Sequence, residues 1–349
     1  MKPPASMDAS FEEALANAAL KMGRLRGELQ KVLFGQEALI EGVLIGLLAR
    51  GHLLLEGLPG LGKTELVKAL SRAIGLEAKR IQFTPDLLPG DITGNPILHE
   101  QWDETTRRNR REFQFAPGPL FANLVLADEI NRASPKTQSA LLEAMQERRV
   151  TVMGTAHPLP DPFFVIATQN PIELEGTYPL PEAQLDRFLF KLDVPRAGTA
   201  VLERIILDRG IGEEPAVECV LTGEELAAFA TLARQLHLPP SVANYIARLV
   251  DATHPGCSPA AQSVRFGASP RAALALAAAS RARALLEGRL NAGFEDVAAV
   301  ALPVLGHRIL LDYSARISGQ TPGSLVGQLL EAVPRQEHET PRLLKTQTA

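Results

Sequence analysis

The sequence predicts an α/β protein with a five-stranded parallel sheet and helices on both faces, followed by a smaller all-helical domain. Short apolar stretches alternate with stretches of helical periodicity between residues 53 and 193, as expected for parallel strands that are buried on both faces. Beyond residue 195 the strand-like stretches stop and helical patterns continue. A glycine-rich segment also joins the first predicted strand to the following helix, which is a typical connection in such sheets.

This segment, Gly57-Leu-Pro-Gly-Leu-Gly-Lys-Thr64, matches the phosphate-binding pattern G-x-x-x-x-G-K-[ST], with a strand before it and a helix after it. Its glycines allow backbone conformations in which successive N–H groups point at phosphate oxygens. Lys63 supplies a positive charge for the β- and γ-phosphates, and Thr64 offers a hydroxyl to Mg²⁺. We therefore expect a nucleotide to bind here. The expected contacts in this segment are Gly57, Pro59, Gly60, Leu61, Gly62, Lys63, Thr64 and Glu65.

The composition disfavours several other classes of function. The chain has 349 residues and a formal net charge of −4, which disfavours a primary role in binding nucleic acid or anionic membranes. Cys219 and Cys257 form no C-x-x-C pair, so we expect buried thiols in a reducing compartment. The first residues lack the apolar core of a secretory signal, and no apolar stretch reaches the roughly 18 residues of a membrane span. We expect a soluble, cytoplasmic protein with no membrane span.

We predict an N-terminal helix over residues 1–31, in which Leu15, Leu20, Leu25 and Leu29 follow a helical period. The nucleotide-binding domain is expected to follow it.

That domain is expected over residues 32–195. Glu37–Ala49 predicts an apolar helix that leads to the first strand, and Lys79–Phe83 predicts the second strand. Phe163–Thr168 and Phe188–Asp193 predict the last two strands of the sheet.

Residues 84–123 differ in pattern from the rest of the domain, because several prolines and glycines interrupt them. Two extended pieces, Ile97–Trp102 and Glu112–Ala116, flank a polar turn and predict a β-hairpin inserted into a helix. The run from Arg107 to Arg111 is the most basic patch of the chain and is expected at the tip of this hairpin. It lacks the aromatic residues that favour binding to single-stranded nucleic acid. We favour a solvated tip or a partner contact over a nucleic-acid contact.

Three polar residues follow two predicted strands at the edge where open α/β sheets bind ligands. Asp128 and Glu129 come after the apolar stretch Leu124–Ala127, and Asn170 comes after Phe163–Thr168. In a nucleotide hydrolase one acid holds Mg²⁺ and a second orients or deprotonates the attacking water. We predict Thr64 and Asp128 as the Mg²⁺ ligands and Glu129 as the acid for the water. The amide of Asn170 could hydrogen-bond the γ-phosphate or the water without adding charge.

Two arginines are further candidates. Arg187, in the sequence LDRF before the last strand, could stabilise the charge of a transferring phosphoryl group, often from a neighbouring subunit, or could pair with Asp186 or Glu182. Arg271 lies at the start of the helix that Ser269 begins, where it could equally be a surface charge.

The helical domain is expected over residues 196–333. Thr222-Gly-Glu-Glu225 forms a capping box, and Ser269-Pro270 combines a serine N-cap with proline at the first helical position. A later helix is expected over Phe294–Leu302. Residues 334–349 are polar and without pattern, so we expect a flexible tail.

Four motifs, in order, resemble the MoxR branch of the AAA+ ATPases: GLPGLGKT, LVLADEINRASPKTQSALLEAMQE, FVIATQNP and EGTYPLPEAQLDRF. The similarity covers about residues 30 to 330. It implies an AAA+ core with β-hairpin insertions and a helical lid domain.

The resemblance also implies roles for single residues. It implies that Asp128 and Glu129 are the Walker B pair, Asn170 the first sensor, Arg187 the arginine finger and Arg271 the second sensor. A separate segment, Gly35-Gln36, resembles the part of the family that lies over the nucleotide base.

Two of these assignments stay open at this point. Arg132, Arg148 and Arg149 also fall where a subunit interface could lie, so one of them could be the finger. Arg271 could reach the nucleotide of its own chain or that of a neighbour.

The resemblance implies a Mg²⁺-dependent ATPase that assembles into a ring, a hexamer as in the family, with ATP between subunits. Members are associated with chaperone-like maturation of partner complexes that often contain a von Willebrand factor A domain. Two alternatives are a DNA-remodelling motor on the same core and a nucleotide-switched scaffold without turnover. Glu129 argues against the scaffold, because a protein that only binds nucleotide needs no acid to activate water.

Overall fold

A computed structural model of the protein describes residues 9–58, 61–103, 108–171, 176–208, 210 and 215–336. The helices are α1 (Ala9–Val32), α2 (Glu37–Leu48), α3 (Lys63–Ile74), α4 (Pro89–Thr93), α5 (Pro135–Glu147), α6 (Glu182–Leu185), α7 (Thr199–Asp208), α8 (Gly223–Gln235), α9 (Pro240–Asp251), α10 (Pro270–Leu286), α11 (Phe294–Leu305), α12 (Tyr313–Ile317) and α13 (Pro322–Ala332). The strands are β1 (Leu53–Glu56), β2 (Ala78–Gln82), β3 (Gly94–Asp103), β4 (Arg108–Pro117), β5 (Leu124–Asp128), β6 (Arg149–Val152), β7 (Thr155–Pro158), β8 (Phe164–Gln169), β9 (Phe190–Asp193), β10 (Val264–Phe266) and β11 (Leu310–Leu311).

The predicted five-stranded parallel sheet is confirmed, with strand order β2-β5-β8-β1-β9. From β1 the chain passes through α3 to β2 at one edge of the sheet, and β1 itself pairs with β8 and β9. A reversal of strand order of this kind opens a crevice at the carboxyl ends of the strands.

Both faces of the sheet are buried. Leu53 and Leu55 belong to one apolar core, which also contains residues of α1, α2, α3 and the C-terminal helices. Leu54, between them, belongs to a second core with residues of α5. Because successive side chains point to opposite faces, a strand covered on both sides is apolar throughout.

α1 packs on α2, α3 and α10. Its buried side includes Leu15, Met22, Leu25 and Leu29, as its period predicts, whereas Leu20 is 58% exposed. The assignment of Leu20 to this apolar stripe was wrong. Each residue turns the helix by about 100°, so the fifth residue after Leu15 lies on the other side of the helix.

The predicted hairpin is present and longer than expected, with β3 and β4 paired from Gly94–Pro117 to Asp103–Arg108. It follows the short helix α4 but is not inserted into a helix, because residues 118–123 after β4 form turns that lead directly to β5. Arg108 and Arg111 therefore lie in β4, and the side chain of Arg111 pairs with Glu100 at 2.7 Å. Arg110 lies in the same strand, and Arg107 of the predicted basic tip lies outside the described part of the chain, with the rest of residues 104–107.

The predicted helix starts in the second domain are confirmed. Thr222 Oγ1 accepts from the Glu225 N–H at 3.2 Å, and the Glu225 carboxylate accepts from the Thr222 N–H at 3.0 Å. Ser269 Oγ accepts from the Arg271 N–H at 3.2 Å. The domain also contains the two-stranded sheet of β10 and β11, which was not predicted. Strands this short carry too few residues to show an alternating pattern.

The expectation of buried thiols was wrong, because Cys219 and Cys257 are both exposed. Cys219 lies between α7 and α8, and Cys257 lies between α9 and β10; such connections run over protein surfaces. Of the predicted tail, residues 337–349 lie outside the described residues. Within the described part of the chain, no helix has the length and apolarity to cross a membrane.

Candidate nucleotide-binding site

A cleft of about 330 Å³ opens at the carboxyl ends of β1, β5 and β8. It brings together side chains from the predicted phosphate loop, the predicted acid pair and the strand next to them. The described residues that line it are Gly57, Gly62, Lys63, Thr64, Glu65, Arg80, Asp128, Glu129, Thr168 and Asn170.

The phosphate-loop segment ends at the N-terminus of α3. Gly62 precedes this helix with a φ of 81°, in the left-handed region that glycine adopts without strain. The first turn of α3 lines the cleft, so its free N–H groups and the positive end of the helix dipole are available to an anion. A Cβ on Gly57 would lie 2.9 Å from the Val194 carbonyl oxygen, so the chain approaches β9 too closely for a larger residue. Pro59 and Gly60 lie outside the described residues.

Lys63 lies across the loop, and its Nζ donates to the Gly57 carbonyl at 2.6 Å. Burial lowers the pKa of Lys63, while the charges of Asp128, Glu129 and Glu56 act in the opposite direction. An anionic ligand in the cleft would stabilise the ammonium form of this lysine.

Thr168 joins the two predicted acids. Its buried hydroxyl donates to Asp128 Oδ1 at 2.6 Å and accepts from the Glu129 N–H at 2.9 Å. Glu129 has a φ of 56°, a left-handed conformation that costs a non-glycine residue roughly 1–3 kcal/mol and is typical of functional sites. Thr168 was missed as a functional residue, although a polar side chain inside an apolar strand was a visible signal.

Two side chains of the neighbouring strand β2 also donate to the acids, and these contacts were not predicted from the sequence. Arg80 donates to Asp128 Oδ2 at 2.6 Å. Gln82 Nε2 donates to Glu129 Oε2 at 2.7 Å, and Arg132 donates to the same oxygen at 2.9 Å. The signal was the pair of polar residues at alternate positions at the end of β2, which its register places beside β5.

Asn170 lines the cleft, and Gln36 lies against the phosphate loop. Asn170 is buried at the wall of the cleft, directly after β8. The Gln36 side chain donates from Nε2 to the Leu61 carbonyl at 3.1 Å, which holds the Gly35-Gln36 segment against the phosphate loop. A Cβ on Gly35 would lie 2.5 Å from Val201 of α7, so this segment also contacts the start of the second domain.

Arg187 and Arg271 are not among the described residues that line the cleft. Arg187 donates to the Leu142 carbonyl at 2.9 Å and lies in a second pocket, of about 200 Å³, on the surface of α5. Arg271 lies 3.8 Å from the carboxylate of Asp186 in the same chain.

The other candidate fingers have different surroundings. Arg132 contacts Glu129 of its own chain, as described above. Arg148 donates to the Arg50 carbonyl at 2.9 Å, and Arg149 lies 3.5 Å from Glu147.

The donor set suits Mg²⁺. Thr64 contributes a hydroxyl and Asp128 a carboxylate to the same cleft, and Mg²⁺ prefers such hard oxygen ligands together with phosphate oxygens. The residues present therefore fit a magnesium–nucleotide complex.

Comparison with known proteins identifies the family. Residues 52–190 match the model of the ATPase family associated with various cellular activities, and residues 258–329 match an AAA lid domain. The chain is 42% identical to Chaperone MoxR1 of Mycobacterium tuberculosis, over 97% of this chain and 90% of the relative. The chain belongs to the MoxR family of AAA+ ATPases.

Other proteins are similar over most of their length. A Bacillus subtilis protein, YeaC, is 43% identical, and Protein MoxR of Methylorubrum extorquens is 32% identical; each comparison covers 89% of this chain and 94% of the relative. A solved structure from Cytophaga hutchinsonii is 38% identical, with a TM-score of 0.84 over 93% of this chain and 98% of the other. The predicted AAA+ core with a helical lid is confirmed, and the MoxR-type assignment with it.

Proposed function

We propose that this MoxR-family protein binds ATP with Mg²⁺ and hydrolyses it to ADP and phosphate. The observation that carries the proposal is the cleft itself, in which Lys63 and Thr64 of α3 face Asp128 and Glu129 at the end of β5. A phosphate-binding loop alone is sufficient for a protein that only binds nucleotide, whereas hydrolysis also requires the adjacent pair of acids.

Glu129 is the proposed general base, which accepts a proton from the attacking water. Gln82 and Arg132 both donate to its Oε2 atom, so they orient the carboxylate within the cleft. Asn170 would hydrogen-bond the water or the γ-phosphate, and Lys63 would neutralise charge on the β- and γ-phosphates. When bound, Mg²⁺ would be held by Thr64 and Asp128 and would supply charge neutralisation at the phosphates.

The site is completed, in this proposal, by Arg187 of another copy in a ring, a hexamer as in the family. The support is geometric: within its own chain Arg187 lies in the pocket on α5, bonded to Leu142, and not at the cleft. Arg271 would link the position of the lid to the core through its contact with Asp186.

The work of the ring would be chaperone-like remodelling or maturation of protein complexes in the cytoplasm. The relative named Chaperone MoxR1 supports this role. The resemblance to the family supports clients that contain a von Willebrand factor A domain.

Steady-state phosphate release by the purified chain tests the enzymatic proposal. We expect ATP turnover that requires Mg²⁺ and is abolished in Lys63→Ala. Lys31→Ala is the control, because Lys31 lies on α1 and pairs with Glu28 at 2.6 Å, and neither residue lines the cleft. Wild-type turnover in Lys63→Ala would refute the proposal.

Two further experiments test the ring and its client. Arg187→Ala should lose turnover alone and regain it when mixed with Lys63→Ala subunits, which still supply Arg187. Glu129→Gln protein held in ATP should retain a partner with a von Willebrand factor A domain in a pulldown. Stimulation of hydrolysis by DNA, lost on substitution of Arg108 and Arg111, would instead support the DNA-remodelling alternative.

A further inference from the structure

One buried arginine of the lid domain holds the segment of the core that contains Arg187. The Arg308 guanidinium donates to Asp186 Oδ1 at 2.8 Å and to the carbonyl of the same residue at 3.1 Å. It also donates to the carbonyls of Phe188 at 2.6 Å and Leu189 at 3.1 Å. Only 3% of its side chain is exposed. Residues 186–189 are thus bound to the lid through their backbone as well as a side chain.

The second oxygen of the Asp186 carboxylate is also held by the lid. Ser269 Oγ donates to Oδ2 at 2.9 Å, and Arg271 lies 3.8 Å from the same atom. Asp186 is only 18% exposed, so water screens these charges weakly. Both oxygens of one core carboxylate are therefore anchored to lid residues.

Arg187 is the next residue in the chain. Its backbone lies between Asp186 and Phe188, both of which contact Arg308, and its guanidinium bonds to Leu142 on α5. A displacement of the lid must therefore move the Arg187 backbone or break several buried hydrogen bonds to charged groups, which are stronger than ordinary ones.

We propose that Asp186 and Arg308 are positioning residues for Arg187, through which the lid of one subunit sets the place of Arg187 at the nucleotide of its neighbour. This inference rests on the proposed function, in which Arg187 completes the neighbouring site. It makes the lid position of one subunit a determinant of the hydrolysis rate in the next.

The test is Asp186→Asn in the full chain. Asparagine keeps the size of the side chain and an acceptor oxygen but removes the charge that holds Arg308. We expect kcat to fall about tenfold or more, since a displaced arginine finger loses much of its effect. The KM for ATP should change by less than about twofold, because binding in the subunit's own cleft is unaffected. Mixing with Lys63→Ala subunits should restore turnover, because they supply an intact Asp186 and Arg187.

Two variants complete the experiment. Ser269→Ala removes the hydroxyl bond to Asp186 and the N-cap bond to the Arg271 N–H, but none of the hydrogen bonds of Arg308; we expect a fall in kcat of several-fold. Glu41→Gln weakens a contact between α2 and α10, the 3.2 Å pair of Glu41 with Arg283, which does not involve residues 186–189. We expect Glu41→Gln to keep the wild-type kcat. A fall in the kcat of Glu41→Gln equal to that of Asp186→Asn would overturn the proposal.

The outcomes separate this inference from the proposed function. A wild-type kcat in Asp186→Asn, together with lost turnover in Arg187→Ala, would refute the positioning role and leave the proposed function intact. A wild-type kcat in Arg187→Ala would refute the proposed finger itself. Turnover lost in Asp186→Asn and not restored by Lys63→Ala subunits would place the defect in the subunit's own site and overturn the inference.

Discussion

Replacing Glu129 with glutamine removes the proposed base with little change of shape. In the structure, Glu129 Oε2 accepts from Gln82 at 2.7 Å and from Arg132 at 2.9 Å. The amide oxygen of a glutamine can accept both hydrogen bonds from the same position. We therefore expect the cleft and its affinity for ATP to persist in Glu129→Gln, while the ability to accept a proton from water is lost.

The size of the effect follows from general-base catalysis, which contributes about 10²- to 10⁴-fold to a rate. This range corresponds to about 3–5 kcal/mol of the activation barrier. We expect kcat of Glu129→Gln to fall about 100-fold or more and the Kd for ATP to change by less than about threefold.

Single-turnover phosphate release and a fluorescence titration with a labelled ATP analogue measure the two quantities separately. Glu295→Gln is the matched control, since Glu295 is an exposed acid of the lid that pairs with Arg335 at 3.0 Å. A kcat within about twofold of wild type in Glu129→Gln would refute the assignment of the base. A loss of ATP affinity that accounts for the whole loss of rate would show instead that Glu129 acts in binding.

Three further predictions concern buried groups. Thr168 bridges the two acids, and Thr168→Val keeps the shape of its side chain but leaves the Glu129 N–H without its acceptor. Urea denaturation should show a free energy of unfolding lower by about 1–3 kcal/mol. An unchanged value would contradict the bridging role. Burial lowers the pKa of His52 from 6.5 to about 4, so the unfolded chain binds more protons between these values. The free energy of unfolding should therefore fall by about 3 kcal/mol as pH drops from 6.5 to 4, and His52→Asn should show a smaller pH dependence in urea titrations at several pH values. Asp296 is fully buried and accepts hydrogen bonds from two arginines, so Asp296→Ala should cost about 3–5 kcal/mol in the same assay, against less than about 0.5 kcal/mol for its exposed neighbour in Glu295→Ala.

Much of the candidate cleft could be predicted from the sequence, because its parts are local. A phosphate loop needs consecutive residues of special backbone freedom, so Gly57 to Thr64 stand out as one segment. Asp128 and Asn170 follow apolar strands, and parallel strands bring their carboxyl ends to one edge of the sheet.

The helix starts of the second domain could be predicted for the same reason, because their sequence signals are local. The capping box at Thr222 and the serine–proline start at Ser269 use hydrogen bonds between residues two or three positions apart, and both are present in the structure. The apolar stripe of α1 was predicted less accurately, since Leu20 lies on its exposed side.

The hydrogen-bond donors to the acid pair could not be predicted, because they depend on the order of the strands in the sheet. Arg80 and Gln82 lie 48 and 47 residues from their carboxylate partners, and they meet them only because β2 pairs with β5. An apolar run indicates a buried strand, but it does not indicate which strand will be its neighbour.

The sequence by itself determined that this protein has a glycine-rich segment of the phosphate-loop pattern, a pair of acids after a buried strand and several capped helices. Each of these features depends on residues that are close in the chain. Only the tertiary structure decided which groups the arginines contact. Arg187 bonds to α5 away from the cleft of its own chain, and Arg308 reaches Asp186 across 122 residues. These contacts depend on how the lid packs against the core, and that packing is set by whole apolar surfaces and not by any single motif.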